Sequence, residues 1–126
     1  MSIKKFESFN LRKPTLINYA ISKEKIETIG TESFSEKEIE FFQKIKEENK
    51  TAIYDIDFWS SGDFGTNIIF LSLYPSGEDD NLLEFEIQKL KDEWYIIRYV
   101  NNDDYYLCDE FEEVKGFLGT ETILRF

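Results

Sequence analysis

Asp55 and Asp57, within "TAIYDIDFWS" at 51–60, come nearest of all residues in this chain to a catalytic or metal-ligating spacing. On a strand they fall on one face about 6.6–7 Å apart, which suits two-carboxylate hydrolysis or a divalent cation. Any i, i+2 pair on a strand shares that separation, so solvent-facing strand positions account for it equally well. A calcium loop of the D-x-[DN]-x-[DN]-G type is excluded, because Trp59 occupies the third ligand position. Glu84 and Glu86 form a similar pair further along the chain. If both pairs share a sheet face, that face is an acidic plane flanked by Trp59. Such a plane suits a protein interface better than a catalytic cleft, since interfaces use Trp and Tyr as rigid anchors.

Other reactive patterns fail on their neighbours. The stretch "DDYYLCDEFEE" at 103–113 holds six carboxylates, but Asp109 followed by Glu112 reads as a helix-capping signature. Asp109, Glu110, Glu112 and Glu113 then occupy a cap and first turn, where negative charge is favoured, and Asp103 and Asp104 are turn residues. Cys108, the single cysteine, has four of these acids nearby opposing a thiolate, and the chain contains no histidine to act as its base. The absence of histidine also removes Ser-His pairs and imidazole metal ligands, and neither GxxxxGK[ST] nor GxGxxG occurs. "WYIIRYV" at 94–100 resembles the aromatic strands of single-strand RNA readers, but its acidic surroundings oppose nucleic acid. Core packing for its aromatics and a carboxylate partner for Arg98 explain it better.

The net charge of −11 is unevenly placed: residues 1–50 carry ten Lys/Arg against nine Asp/Glu, and 51–126 carry five against seventeen. An acidic second part repels nucleic acid and anionic membrane and attracts a basic partner through a salt-sensitive field. Solubility alone is the competing explanation. The longest apolar runs fall far short of a membrane span, the N-terminal stretch lacks a signal-peptide core, and one cysteine fits a reducing compartment. These features predict a cytoplasmic protein, bacterial or in the host cytoplasm of a virus.

The elements that must position these residues follow from periodicity. Ser35 with Glu38 makes a capping box and Phe34 with Ile39 a hydrophobic staple, so a helix starts there and ends near Asn49. Before it, Pro14 offers a first helical turn and Gly30 a stop, with a strand over 15–21 as competitor. From 51 the period becomes two. Ala52, Tyr54, Ile56 and Phe58 are predicted on one face, with Ile53, Asp55, Asp57 and Trp59 on the other. "TNIIFLSLY" at 66–74 is apolar on nearly both faces and asks for cover on each. Residues 82–100 read as a hairpin with Leu83, Phe85 and Ile87 inward, and a helix is predicted over 109–118. "SGDFG" and "PSGEDDN" read as loops, and "ETILRF" as a further edge strand.

The expectation is one α+β domain over 1–126. It has an antiparallel, hairpin-rich sheet of about four to five strands, N-terminal helices on one face and a short C-terminal helix. Functionally the sequence predicts a non-enzymatic module, without a cofactor, that docks a basic protein surface in the manner of an inhibitor or immunity factor. Its expected binding residues are Asp55, Asp57, Trp59, Glu84 and Glu86. The alternatives are a nucleic-acid mimic, a carboxylate enzyme or metal binder using Asp55 and Asp57, and a structural subunit. Self-association would bring basic Lys4, Lys5, Arg12 and Lys13 onto the acidic sheet of a second copy.

Overall fold

The chain from Pro14 to Gly30 divides into two elements. In the computed structural model, which describes residues 14–60, 65–74, 82–122 and 124, Thr15–Ile17 form strand β1 and Tyr19–Ile29 form helix α1. Asn18 starts the helix, its side-chain oxygen accepting from the Ile21 amide at 2.8 Å. Pro14 therefore precedes an edge strand, where proline is tolerated, and does not open the helix. The loops at 61–64 and 75–81, the four N-terminal basic residues and most of the expected C-terminal strand lie outside the described residues. Leu124 is described, and it is buried in the main core.

Gly30 ends α1 with φ 88° and ψ 161°, a conformation that in practice only glycine adopts. The following residues wrap around the end of the sheet. Lys91 donates its amide to the Gly30 carbonyl at 3.0 Å, Glu32 to Lys89 at 3.1 Å, and Phe34 to Thr66 at 2.7 Å. Gly30→Ala is expected to cost about 1–3 kcal/mol in urea denaturation. An unchanged midpoint would mean that this turn relaxes freely. Helix α2 (Glu36–Glu48) then opens with the expected capping box: Ser35 Oγ accepts from the Glu38 amide at 3.2 Å, and Glu38 Oε1 accepts from the Ser35 amide at 2.7 Å.

Five more strands complete an antiparallel sheet: β2 (Ile53–Trp59), β3 (Ile68–Leu73), β4 (Leu83–Leu90), β5 (Trp94–Tyr99) and β6 (Asp104–Cys108). Their order across the sheet is β1-β6-β5-β4-β3-β2. With helix α3 (Phe111–Glu121) the fold is α+β, with three helices and six strands among the described residues, one strand more than expected because helix signals obscured β1. The hairpin β4–β5 falls where the sequence placed it, and the predicted turn 91–93 lies between its strands.

The N-terminal helices divide between the two sheet faces. Phe42 and Ile45 of α2, with Val114, Phe117 and Leu118 of α3, cover the face carrying Ile56, Leu71, Phe85 and Ile97. On the other face, α1 sets Ile26 and Ile29 against Leu90, Ile96 and Tyr105. The crossing at residues 30–34 takes the chain from one face to the other. α1 follows edge strand β1 directly after Asn18 and packs over the β5–β6 end of the sheet beside it.

Two local expectations shift. A bulge between Ile53 and Asp55 breaks the alternation of β2, so Ala52 and Ile53 are both buried. Tyr54, predicted to share a face with Ala52, Ile56 and Phe58, is exposed against the Tyr74 ring at 5.6 Å. Helix α3 starts at Phe111, two residues after the predicted cap at Asp109, and runs through Gly119 to Glu121. The Phe111 ring meets Phe41, Phe42 and Tyr95 at 5.5–6.0 Å, so aromatic packing fixes where the helix begins. Glu113, not Glu112, then reaches back to the Asp109 amide at 3.3 Å.

One polar cluster lies inside the main core. Lys89 continues the inward phase of β4 and is 6% exposed; its ammonium meets Glu38 Oε1 at 2.8 Å, and the Tyr95 hydroxyl donates to Glu38 Oε2. Burial pushes the Glu38 carboxyl up, but the bonds from Lys89, Tyr95 and the Ser35 amide outweigh it and hold it below the usual range. Burial, and then the Glu38 bond, push the Tyr95 hydroxyl up. Among the described residues no buried side-chain nitrogen or oxygen lacks a partner.

Candidate functional site

Strand register carries the acidic residues onto one face. Asp57, Phe70, Glu86, Arg98 and Tyr105 form a single cross-strand row, ended by Ile17. Asp55, Ser72 and Glu84 form the row on one side of it, and Trp59, Ile68, Gln88 and Ile96 the row on the other. All five residues singled out from the sequence therefore share the face opposite α2 and α3. α1 shields the β5–β6 end of that face and leaves the β2–β3 end without a covering helix among the described residues.

The open end mixes apolar and acidic groups. Trp59 is 56% exposed and meets the Phe70 ring edge-on at 5.6 Å; Ile68 and Phe70 are half-buried. The two-sided apolar pattern of 66–74 accounts for this, since its second face meets no helix among the described residues. Phe70 separates Asp57 from Glu86, and Ser72 separates Asp55 from Glu84. The carboxylates thus alternate with apolar and small side chains. At Asp57, partial desolvation and then the adjacent Asp55 carboxylate push the pKa up, while Lys46 opposes them.

Where the open sheet meets α1, a cleft of about 260 Å³ lies between Tyr19, Lys23 and Glu27 of the helix and Glu86, Arg98 and Tyr105 of the sheet. Burial raises the Glu86 carboxyl, and Arg98, at 4.0 Å, offsets this only in part. Arg98 is itself held by Asp103 at 3.1 Å and lies over the Tyr105 ring, so it pairs with carboxylates as the sequence implied. The aromatics of "WYIIRYV" are structural. Tyr95 is in the main core, and Trp94 packs beside the second cluster with Lys25 over its ring at 5.2 Å.

The remaining sites offer little chemistry. Cys108 is fully buried, and burial followed by the charges of Glu113 and Asp109 pushes its thiol far up. Asp55 and Asp57 line neither the cleft beneath α1 nor the groove of about 570 Å³ between α2 and α3. No group of three or more Cys, Asp or Glu converges on a metal position among the described residues. No helix among them is long and apolar enough to cross a membrane. Sequence reasoning missed Ile68 and Phe70 as members of the face; the apolar pattern of 66–74 was the available signal. Comparisons of the chain with protein-family models, curated proteins and solved structures yield no match.

Proposed function

We propose that this protein is a small acidic binding module that docks a basic surface of a partner protein, in the manner of an inhibitor or immunity factor. The open sheet face carries this reading: Phe70 lies between Asp57 and Glu86, Trp59 and Ile68 extend it as an apolar patch on one side, and Asp55 and Glu84 lie on the other. Exposed aromatics surrounded by polar groups are what protein interfaces present. A duplex mimic would instead array carboxylates along a surface without aromatics between them. A carboxylate enzyme would enclose Asp55 and Asp57 in a pocket. A cytoplasmic setting suits a module with one buried thiol.

The test is capture from host lysate at low and high salt by the wild type and by an Asp55→Asn/Asp57→Asn/Glu84→Gln/Glu86→Gln variant. The wild type is expected to retain one basic protein and to lose it as salt rises, because exposed charges are screened within about 10 Å at 0.1 M. The variant is expected to retain it poorly at any salt. Equal capture by both proteins would overturn the acidic-docking reading.

A further inference from the structure

The two edges of the sheet are protected very differently. β1, at one edge, is three residues long and directly follows Pro14, so it presents little free backbone. β2, at the other edge, is seven residues long and contains neither proline nor lysine. Its bulge is confined to the Ile53 end, and residues 55–59 run in unbroken register with β3. No described strand pairs with its outer side.

From this asymmetry we infer that β2 accepts an added strand from the partner, a segment of alternating basic and apolar residues. The inference rests on the docking reading above and specifies its geometry. Side chains of a strand laid beside β2 would alternate between the two sheet faces. On the open face they would stand across from Asp55, Asp57 and Trp59, with cross-strand Cβ atoms about 4.5–5.5 Å apart, so lysine or arginine at alternate positions meets both acids. On the other face they would extend the layer of buried Ile56 and half-buried Phe58, which calls for apolar residues. Backbone hydrogen bonds would supply affinity and the alternation would supply specificity, as in other strand-addition complexes.

The same two acids disfavour the competing occupant, a second copy of the chain. Two β2 strands paired antiparallel over their full length centre on Ile56 and set Asp55 of each against Asp57 of the other. Like charges directly opposite destabilise a strand pair. The acids thus guard the edge against self-pairing while leaving it complementary to a basic strand.

The inference is tested by nuclear magnetic resonance titration of the full chain with capped peptides as long as β2. One alternates lysine with valine, a second replaces lysine with glutamate, and a third is the basic peptide N-methylated at alternate backbone positions, made in both phases. The basic peptide is expected to shift the resonances of residues 55–59 and to slow amide exchange there. The acidic peptide is expected to leave them unmoved. N-methylation in one phase is expected to weaken binding by about tenfold or more, the equivalent of one or two lost hydrogen bonds. Equal binding by both N-methylated forms would overturn strand addition and leave charge docking standing. Basic-peptide shifts that fall elsewhere, or no binding, would also overturn strand addition. Loss of capture by the four-carboxylate variant is a separate readout that bears on the docking reading itself.

Discussion

Lys89→Met is expected to lower stability by about 3–5 kcal/mol near neutral pH, because it leaves the Glu38 carboxylate buried without its cation. Lys89 and Glu38 side chains are only 8% and 10% exposed, so solvent does not replace the lost partner. Glu38 also accepts from Tyr95 and caps α2 at Ser35, which ties it in place and prevents escape to water. Adding Glu38→Gln is expected to recover much of the loss: the amide carries no charge, its oxygen still accepts from the Ser35 amide, and its NH2 donates to the Tyr95 hydroxyl in place of accepting from it. Urea denaturation of the two single variants and the double variant would check this. A double variant as unstable as Lys89→Met would mean that packing of the lysine stem, not charge, was lost.

The pH dependence follows from the same cluster. In the wild type the folded Glu38 carboxyl lies below the ordinary glutamate value of about 4.3, so its contribution is present above that value. It is lost as pH falls through the folded value. In Lys89→Met the loss of the lysine bond and charge is expected to let burial prevail and raise the carboxyl above its unfolded value. The stability deficit of that variant should therefore be largest near neutrality and shrink as pH falls through the raised folded value towards about 4. A deficit independent of pH would rule out the uncompensated carboxylate as its cause.

Trp59→Ala is expected to weaken partner binding by about 30-fold or more, the loss of an exposed aromatic anchor worth about 2 kcal/mol. The indole is more than half exposed and rests on Phe70 without entering the core, so folding stability should change little. Calorimetric titration against the captured partner, with thermal unfolding of the free protein, separates the two effects. The four-carboxylate variant should differ in kind, slowing association and flattening the salt dependence, as expected of charges that steer a partner. Unaltered affinity in Trp59→Ala would move the anchor away from the open sheet face.

Much of the fold was legible because it rests on local signals. The capping box at Ser35 and Glu38, the alternation of 83–88 and the glycine stop at 30 are each determined within a few residues, and each falls where predicted. The pairing of Asp55 with Asp57 and of Glu84 with Glu86 was likewise fixed by strand periodicity. The buried Lys89 was not read from the sequence, although its phase, two residues beyond Ile87 on the inward side, was the available signal.

What the sequence could not decide was long-range. β1 is three residues beside a helix cap, too short for a periodic signal, and it exists because β6 pairs with it. The start of α3 was set by aromatic rings from α2 and β5, against a capping pattern two residues earlier. Whether the acidic pairs share a face depends on how β2, β3 and β4 align, and a one-residue slip would have separated them. Which half of that face stays open depends on the chain crossing at residues 30–34, which sends α1 to one side and α2 to the other. Residue type determined the chemistry this protein can offer; register and helix placement decided where that chemistry is exposed, because both are settled by contacts between residues far apart in the chain.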